Sequence, residues 1–420
     1  MKIEDLLKGK DPCTCGRVHQ CPIEHVVIGE NACACLPEIT EDFTHILLVA
    51  DRNTYGVCGK MVQDFLADRL ADTLIFEGDG VLVPDEVAIE ALHSHVSAKT
   101  DLIVGVGAGV INDLCKHVSH ACSLPYDIVA TAPSMDGYAS RGAALILGGM
   151  KVTLDAHVPR AIVADVNVLK NAPLDMIRAG YGDIIGKYSC LNDWRLSHLV
   201  NGEYFCPFVH DKTLDAVKKT VALSCGLTQR SPEAVGALME ALVSVGILMA
   251  YVGNSRPASG SEHHMSHYFE IVGILRGEPY LAHGIDVCCS AVETAKLREK
   301  LMEFSDVNGI FSHHDALCYE DEIRRIYGAI ADEVLNLQEK AGTYKIDRLS
   351  IYRQKWQEIC AVLADAPSAE RMRELVGEIG ISLSDFEALY GESKLADARL
   401  YAKDLKDRYT VLNMYYDLLS

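Results

Sequence analysis

Residues 102–113 read Leu-Ile-Val-Gly-Val-Gly-Ala-Gly-Val-Ile-Asn-Asp, an apolar strand-forming run that breaks into glycines and opens a helix. Glycines at such a turn let the backbone approach a pyrophosphate, whose charge then rests on the helix N-terminus. A plain tight turn would use the same residues. The spacing is not the Gly-x-Gly-x-x-Gly of ordinary dinucleotide folds, so Gly107, Gly109, Val110, Ile111, Asn112 and Asp113 imply a different nucleotide-binding variant. On either side, short β-rich runs at 26–29, 46–51, 73–77, 128–130 and 161–165 alternate with helical stretches such as 57–70 and 85–96. That alternation predicts βαβ units and a parallel sheet with helices on both faces. Residues 143–154, with Gly148 and Gly149 in the middle, read as an inserted hairpin. Beyond Pro173 helical periodicity dominates and strand patterns vanish. The expected organisation is a cysteine-rich extension over 1–40, a Rossmann-like α/β dinucleotide domain over 41–170 and an all-α metal and substrate domain over 171–420.

The chain has 420 residues, enough for two substantial cores, and its formal charge of −20 argues against nucleic acid and anionic membrane surfaces. The first twenty residues lack the apolar core of a signal peptide. The longest apolar run, 235–252, is long enough to span a bilayer but carries Glu240 and fits a buried helix behind the active site. Together these features predict a cytoplasmic globular protein that must build a local cationic site for any anionic substrate.

Three further segments carry chemistry. Thr131-Ala-Pro-Ser-Met-Asp-Gly-Tyr-Ala-Ser140 follows a strand, so Thr131, Ser134, Ser140 and Asp136 could grip a nucleotide or merely form a turn. Asp183, in Gly180-Tyr-Gly-Asp-Ile-Ile-Gly-Lys187, offers an oxygen ligand or a plain helix cap. Residues 260–267, Gly-Ser-Glu-His-His-Met-Ser-His, place His263 and His267 four apart on one helix face, and His283 follows sixteen residues later. Oxygen and nitrogen donors suit Zn²⁺, Ni²⁺ or Fe²⁺ in an open catalytic site. Asp51, at the end of the 46–51 strand, could meet an adenosine ribose and favour NAD over NADP. Lys187 and Arg256 are the cations nearest these ligands in sequence and are candidate phosphate partners.

Most of the fifteen cysteines are scattered through apolar segments, but Cys13, Cys15, Cys21, Cys33 and Cys35 crowd together with His19 and His25. Two Cys-x-Cys pairs and a histidine could hold a second, thiolate-bound metal, or remain reduced thiols.

In this order the motifs resemble sn-glycerol-1-phosphate dehydrogenases, in the superfamily of iron-dependent alcohol dehydrogenases and dehydroquinate synthases, with the bacterial AraM-type branch most similar. The resemblance runs from about residue 24 to at least 300, and Ser-Arg-Pro-Ala-Ser-Gly-Ser-Glu-His-His-Met-Ser-His at 255–267 is its most specific part. It implies a homodimer or larger oligomer that reduces dihydroxyacetone phosphate with NADH or NADPH. It also implies metal ligands Asp183, His263 and His283, with Asp136, Asp183 and His267 at the substrate. Gly109 to Asp113, Thr131, Ser134 and Ser140 would hold the dinucleotide. Arg141 stands where a small residue is expected, and the cysteine cluster lies outside the shared pattern. Other readings are a polyol dehydrogenase of the same fold, a cyclising lyase using NAD catalytically, and a non-enzymatic metal or redox sensor.

Overall fold

The computed structural model describes residues 2–78, 80, 82–148, 150–311 and 316–419. The chain forms two compact units, one of Met1–Ile184 with Lys218–Asn254, the other of Ile185–Val217 with Ser255–Ser420.

The first unit is built on a six-stranded sheet, parallel throughout, in the order β1-β8-β5-β4-β2-β3. Its strands are β1 (His25–Gly29), β2 (Ile46–Asp51), β3 (Leu70–Phe76), β4 (Leu102–Gly107), β5 (Tyr126–Ala130) and β8 (Ala161–Asp165). Every residue of β4, β5 and β8 is buried, which is why these strands read as unbroken apolar runs. Leu48, Val104, Val129 and Val163 meet in one core with Cys33 and Cys58. The 57–70 helix is shorter than its pattern suggests, regular only over Lys60–Leu66, and β3 starts at Leu70 because it ladders against Ile46. As an edge strand it exposes Ala71 and Asp72, so its apolar signal begins late.

From β2 the chain steps outward to β3, then returns to β4 on the other side of β2. That reversal opens a crevice at the carboxyl ends of β2 and β4, where such folds bind ligands. Helix α1 (Gly109–Ala121) rises from it. The hairpin is present as β6 (Gly142–Leu147) and β7 (Met150–Asp155); Gly148 has φ +58°, and Gly149 lies outside the described residues.

Helix α2 (Leu174–Asn201) begins in this unit and continues into the second. Helix α3 (Pro232–Val252) is the long apolar run, started by a Ser231 cap with Pro232 in its first turn and stopped by left-handed Gly253. Of its most apolar window, 83% is buried, as in the core helix of a globular unit.

The second unit contains no strand among the described residues. Helix α4 (Ser261–Arg276) ends at left-handed Gly277 and is followed by α5 (His283–Met302). Further helices run to Val411–Leu419 and close a core around Leu196, Leu301, Trp356, Ile359 and Met414.

Candidate active site

In the sheet unit, the Gly107–Gly109 turn lies at the carboxyl end of β4, and no side chain caps the N-terminus of α1. A pyrophosphate fits that uncapped turn, because first-turn N–H groups lack helical acceptors. Thr131 N–H donates to the Gly107 carbonyl at 3.1 Å, tying the 131–140 segment to the turn. Asn112, Asp113 and Ser140 gather in a buried knot around Lys116. Asn112 donates to Asp113 at 3.0 Å, and Asp113 accepts from Ala144 N–H at 3.2 Å. The Lys116 ammonium donates to the Gly137 and Gly142 carbonyls at 2.9 Å each and lies 3.5 Å from Asp113. Burial pushes the Asp113 carboxyl up and the Lys116 ammonium down, each opposed by the other's charge. The knot shapes the segment that carries Asp136. Asp51 ends β2 beside β4, where its carboxylate accepts from Thr54 N–H at 2.9 Å in a capping box. Arg141 is exposed and pairs with Asp155 across the hairpin at 3.1 Å.

Gly180 on α2 approaches the 131–140 segment so closely that a Cβ there would lie 1.8 Å from the Pro133 carbonyl oxygen. Only glycine allows that approach. One turn later, Asp183 is buried and accepts from Asp136 N–H at 3.0 Å. The two aspartates expected at the substrate therefore stand side by side in this unit.

In the helical unit, the rings of His263, His267 and His283 form a triangle, with centroids 6.0 Å apart for 263–267, 5.2 Å for 263–283 and 5.5 Å for 267–283. His263 Nδ1 lies 2.6 Å from the fully buried Glu262 carboxylate. A carboxylate accepts, so Nδ1 carries the proton and Nε2 keeps its lone pair for a metal. Ser266 Oγ lies 3.3 Å from His283 Nδ1, an equivalent partner for the second ring. The donor set thus fits a divalent ion by its chemistry. Glu262 belonged to the quoted motif, yet only folding reveals that it orients its neighbour. It also accepts from Gly260 N–H at 3.0 Å, while Asp193 accepts from Ser261 and Val411 N–H at 2.7 Å each. Burial and then the Glu262 charge raise the Asp193 carboxyl to about 6.

Lys187 is fully buried on α2. Arg256 is also buried, but the Glu203 carboxylate takes two of its N–H groups at 2.9 and 2.6 Å and the Tyr409 carbonyl lies 2.6 Å away. Its guanidinium is thus paired inside the unit. Arg408, which sequence proximity could not find, donates to the Ser259 carbonyl at 2.9 Å. Arg256 and Arg408 brace the loop that delivers α4.

A six-stranded parallel sheet with a glycine turn, followed by helices bearing a histidine triangle, defines the iron-containing alcohol dehydrogenase class. The model of that family, iron-containing alcohol dehydrogenase, matches residues 27–173. The glycerol-1-phosphate dehydrogenase [NAD(P)+] of Halalkalibacterium halodurans is 35% identical over 322 residues, 73% of this chain and 81% of the relative. That of Bacillus licheniformis is 30% identical over 96% of this chain and 92% of its own. The chain belongs to the glycerol-1-phosphate dehydrogenase family. Sulfoacetaldehyde reductase from Bifidobacterium kashiwanohense, solved with NAD+, shares the fold at a TM-score of 0.62 and 14% identity, over 95% of this chain and 97% of that one.

Proposed function

We propose that this chain interconverts dihydroxyacetone phosphate and sn-glycerol 1-phosphate with NAD(H) or NADP(H), a reading supported by relatives named glycerol-1-phosphate dehydrogenase [NAD(P)+]. One divalent ion would be held by Asp183, His263 and His283, the ligand set that the family resemblance implies. The observation that carries this reading is the imidazole triangle with its proton-fixing partners Glu262 and Ser266. Asp183 lies on α2. Gly186, three residues later on the same helix, packs so tightly that a Cβ would lie 2.5 Å from Val287 of α5 and 3.3 Å from Glu262 of α4. Residues three apart share a helix face, so Asp183 and Gly186 lie on one side of α2.

When bound, the ion polarises the substrate carbonyl and the nicotinamide supplies hydride. The residues themselves position and protonate. Asp136 and Asp183 orient the hydroxyl end of the triose. His267, half-buried in the triangle, donates the proton to the oxygen of the reduced carbonyl, the general-acid role that imidazole most often fills. Lys187, one turn beyond Asp183, neutralises the substrate phosphate. Gly107 to Ile111, Thr131 and Ser134 cradle the dinucleotide, and the Asp51 carboxylate repels a 2′-phosphate, favouring NAD. A homodimer in the cytoplasm, with zinc, nickel or iron as the ion, completes the reading that the family resemblance implies.

The test is a comparison of His263→Ala with His267→Ala by elemental analysis and turnover. We expect the first to lose the ion and the second to keep it while turning over more slowly. Equal metal loss in both would overturn these roles.

A further inference from the structure

The segment before β1 folds into a small closed loop that the reductase reading does not use. Lys10 and His19 pair in an antiparallel bridge, with amide–carbonyl bonds of 2.9 and 3.0 Å. Inside it, Gly16 N–H donates to the Cys13 carbonyl at 2.9 Å, with Gly16 at φ +82°. This turn faces Cys13 and Cys15 toward His19.

The His19 ring is wholly buried and stacks on Tyr251, at the last turn of α3, with centroids 5.3 Å apart. Its Nδ1 lies 3.0 Å from the Tyr251 carbonyl oxygen. A carbonyl only accepts, so Nδ1 holds the proton and Nε2 presents a lone pair, the arrangement that outer partners impose on a metal-ligating imidazole. Nε2 lies 3.3 Å from Cys15 Sγ. Zinc–sulfur and zinc–nitrogen bonds of about 2.3 and 2.0 Å place tetrahedral S and N ligands about 3.5 Å apart, so this spacing suits two ligands of one ion. A lone S–H···N hydrogen bond would need one thiol. Here Cys13, Cys15 and His19, all in the sheet unit, form a single donor group, with Cys13 and His19 buried.

We propose that Cys13, Cys15 and His19 bind one zinc ion as a structural site. Two thiolates and a buried imidazole on one closed loop suit a structural ion that fastens the N-terminal segment. Tyr251 supplies a second anchor, its hydroxyl donating to the Leu6 carbonyl. The site uses only part of the cysteine cluster seen in sequence. Cys33 and Cys35 lie on a short turn after β1, where Cys33 packs in the sheet core and burial pushes its thiol up to about 12.

The test keeps this ion apart from the one proposed at the histidines. The full-length His263→Ala/His283→Ala chain should retain one zinc per chain, and adding Cys13→Ser/Cys15→Ser should remove it. Cobalt substitution of the unmodified chain should produce thiolate-to-cobalt charge-transfer absorption, which needs no variant to fold. Absence of that absorption, or zinc that persists in the cysteine variant, overturns the proposal.

Discussion

Gly180→Ala adds one methyl group, and two effects of opposite sign meet there. In a helix interior alanine is favoured over glycine by about 1 kcal/mol. Against this, the new Cβ would sit 1.8 Å from the Pro133 carbonyl oxygen, and real Cβ contacts do not fall below 3.0 Å. The contact must therefore open by more than an ångström. The obstructing atom is backbone beside a proline of fixed φ, so it cannot swing aside as a side-chain tip would. Overpacking of this kind costs about 1–3 kcal/mol, which outweighs the helix gain. The same displacement stretches the 3.0 Å Asp136–Asp183 hydrogen bond and moves Asp183 from its ligand position. A misplacement near 1 Å lowers turnover by roughly 100-fold. Thermal unfolding and steady-state NADH oxidation, measured on matched metal-loaded samples, report the two consequences separately. We expect a lower Tm and a much lower kcat. A variant with raised Tm and unchanged kcat would refute the steric reasoning.

Three further outcomes follow from buried groups. Glu262→Gln replaces the charged acceptor of the His263 proton by a neutral amide and should weaken metal affinity roughly 10–100-fold, measured by competition with a chelating dye. Arg256→Ala strips the partner from Glu203 and should cost about 3 kcal/mol in denaturant unfolding, with little change in KM for the phosphorylated substrate. Burial, then the charges of Arg408, Lys406 and Arg256, hold the His264 imidazole well below its usual 6.5. The unfolded chain therefore takes up a proton there first, and stability is lost as pH falls below 6.5, by up to about 1.4 kcal/mol per unit. His264→Leu should flatten that acid limb in Tm measured against pH.

The sheet was readable because its strands are covered on both faces and its turns are marked by glycine, so apolar runs and breaks survive as pattern. The edge strand β3 read late because it exposes polar residues. The chemistry-bearing motifs were legible as donor types at helical spacing. What the spacing concealed was which way each side chain turns. Lys116 looks like a solvated helix lysine, yet it is the buried centre around which Asp113 and Ser140 gather. Arg256 stands seven residues before His263 and was read as a phosphate partner; Glu203 and Tyr409, remote in sequence, claim it. Glu262 was visible but silent until its carboxylate was placed against His263 Nδ1. The cysteine cluster splits because β1 carries Cys33 and Cys35 away into the sheet core.

The central claim is metal-dependent reduction of a phosphorylated triose. The most direct measurement is NADH oxidation by metal-loaded protein with dihydroxyacetone phosphate, run beside unphosphorylated dihydroxyacetone and repeated with a chelator. Oxidation with the phosphate ester alone, abolished by the chelator, is the predicted result. Equal or greater activity on dihydroxyacetone would contradict it and make the chain a polyol dehydrogenase.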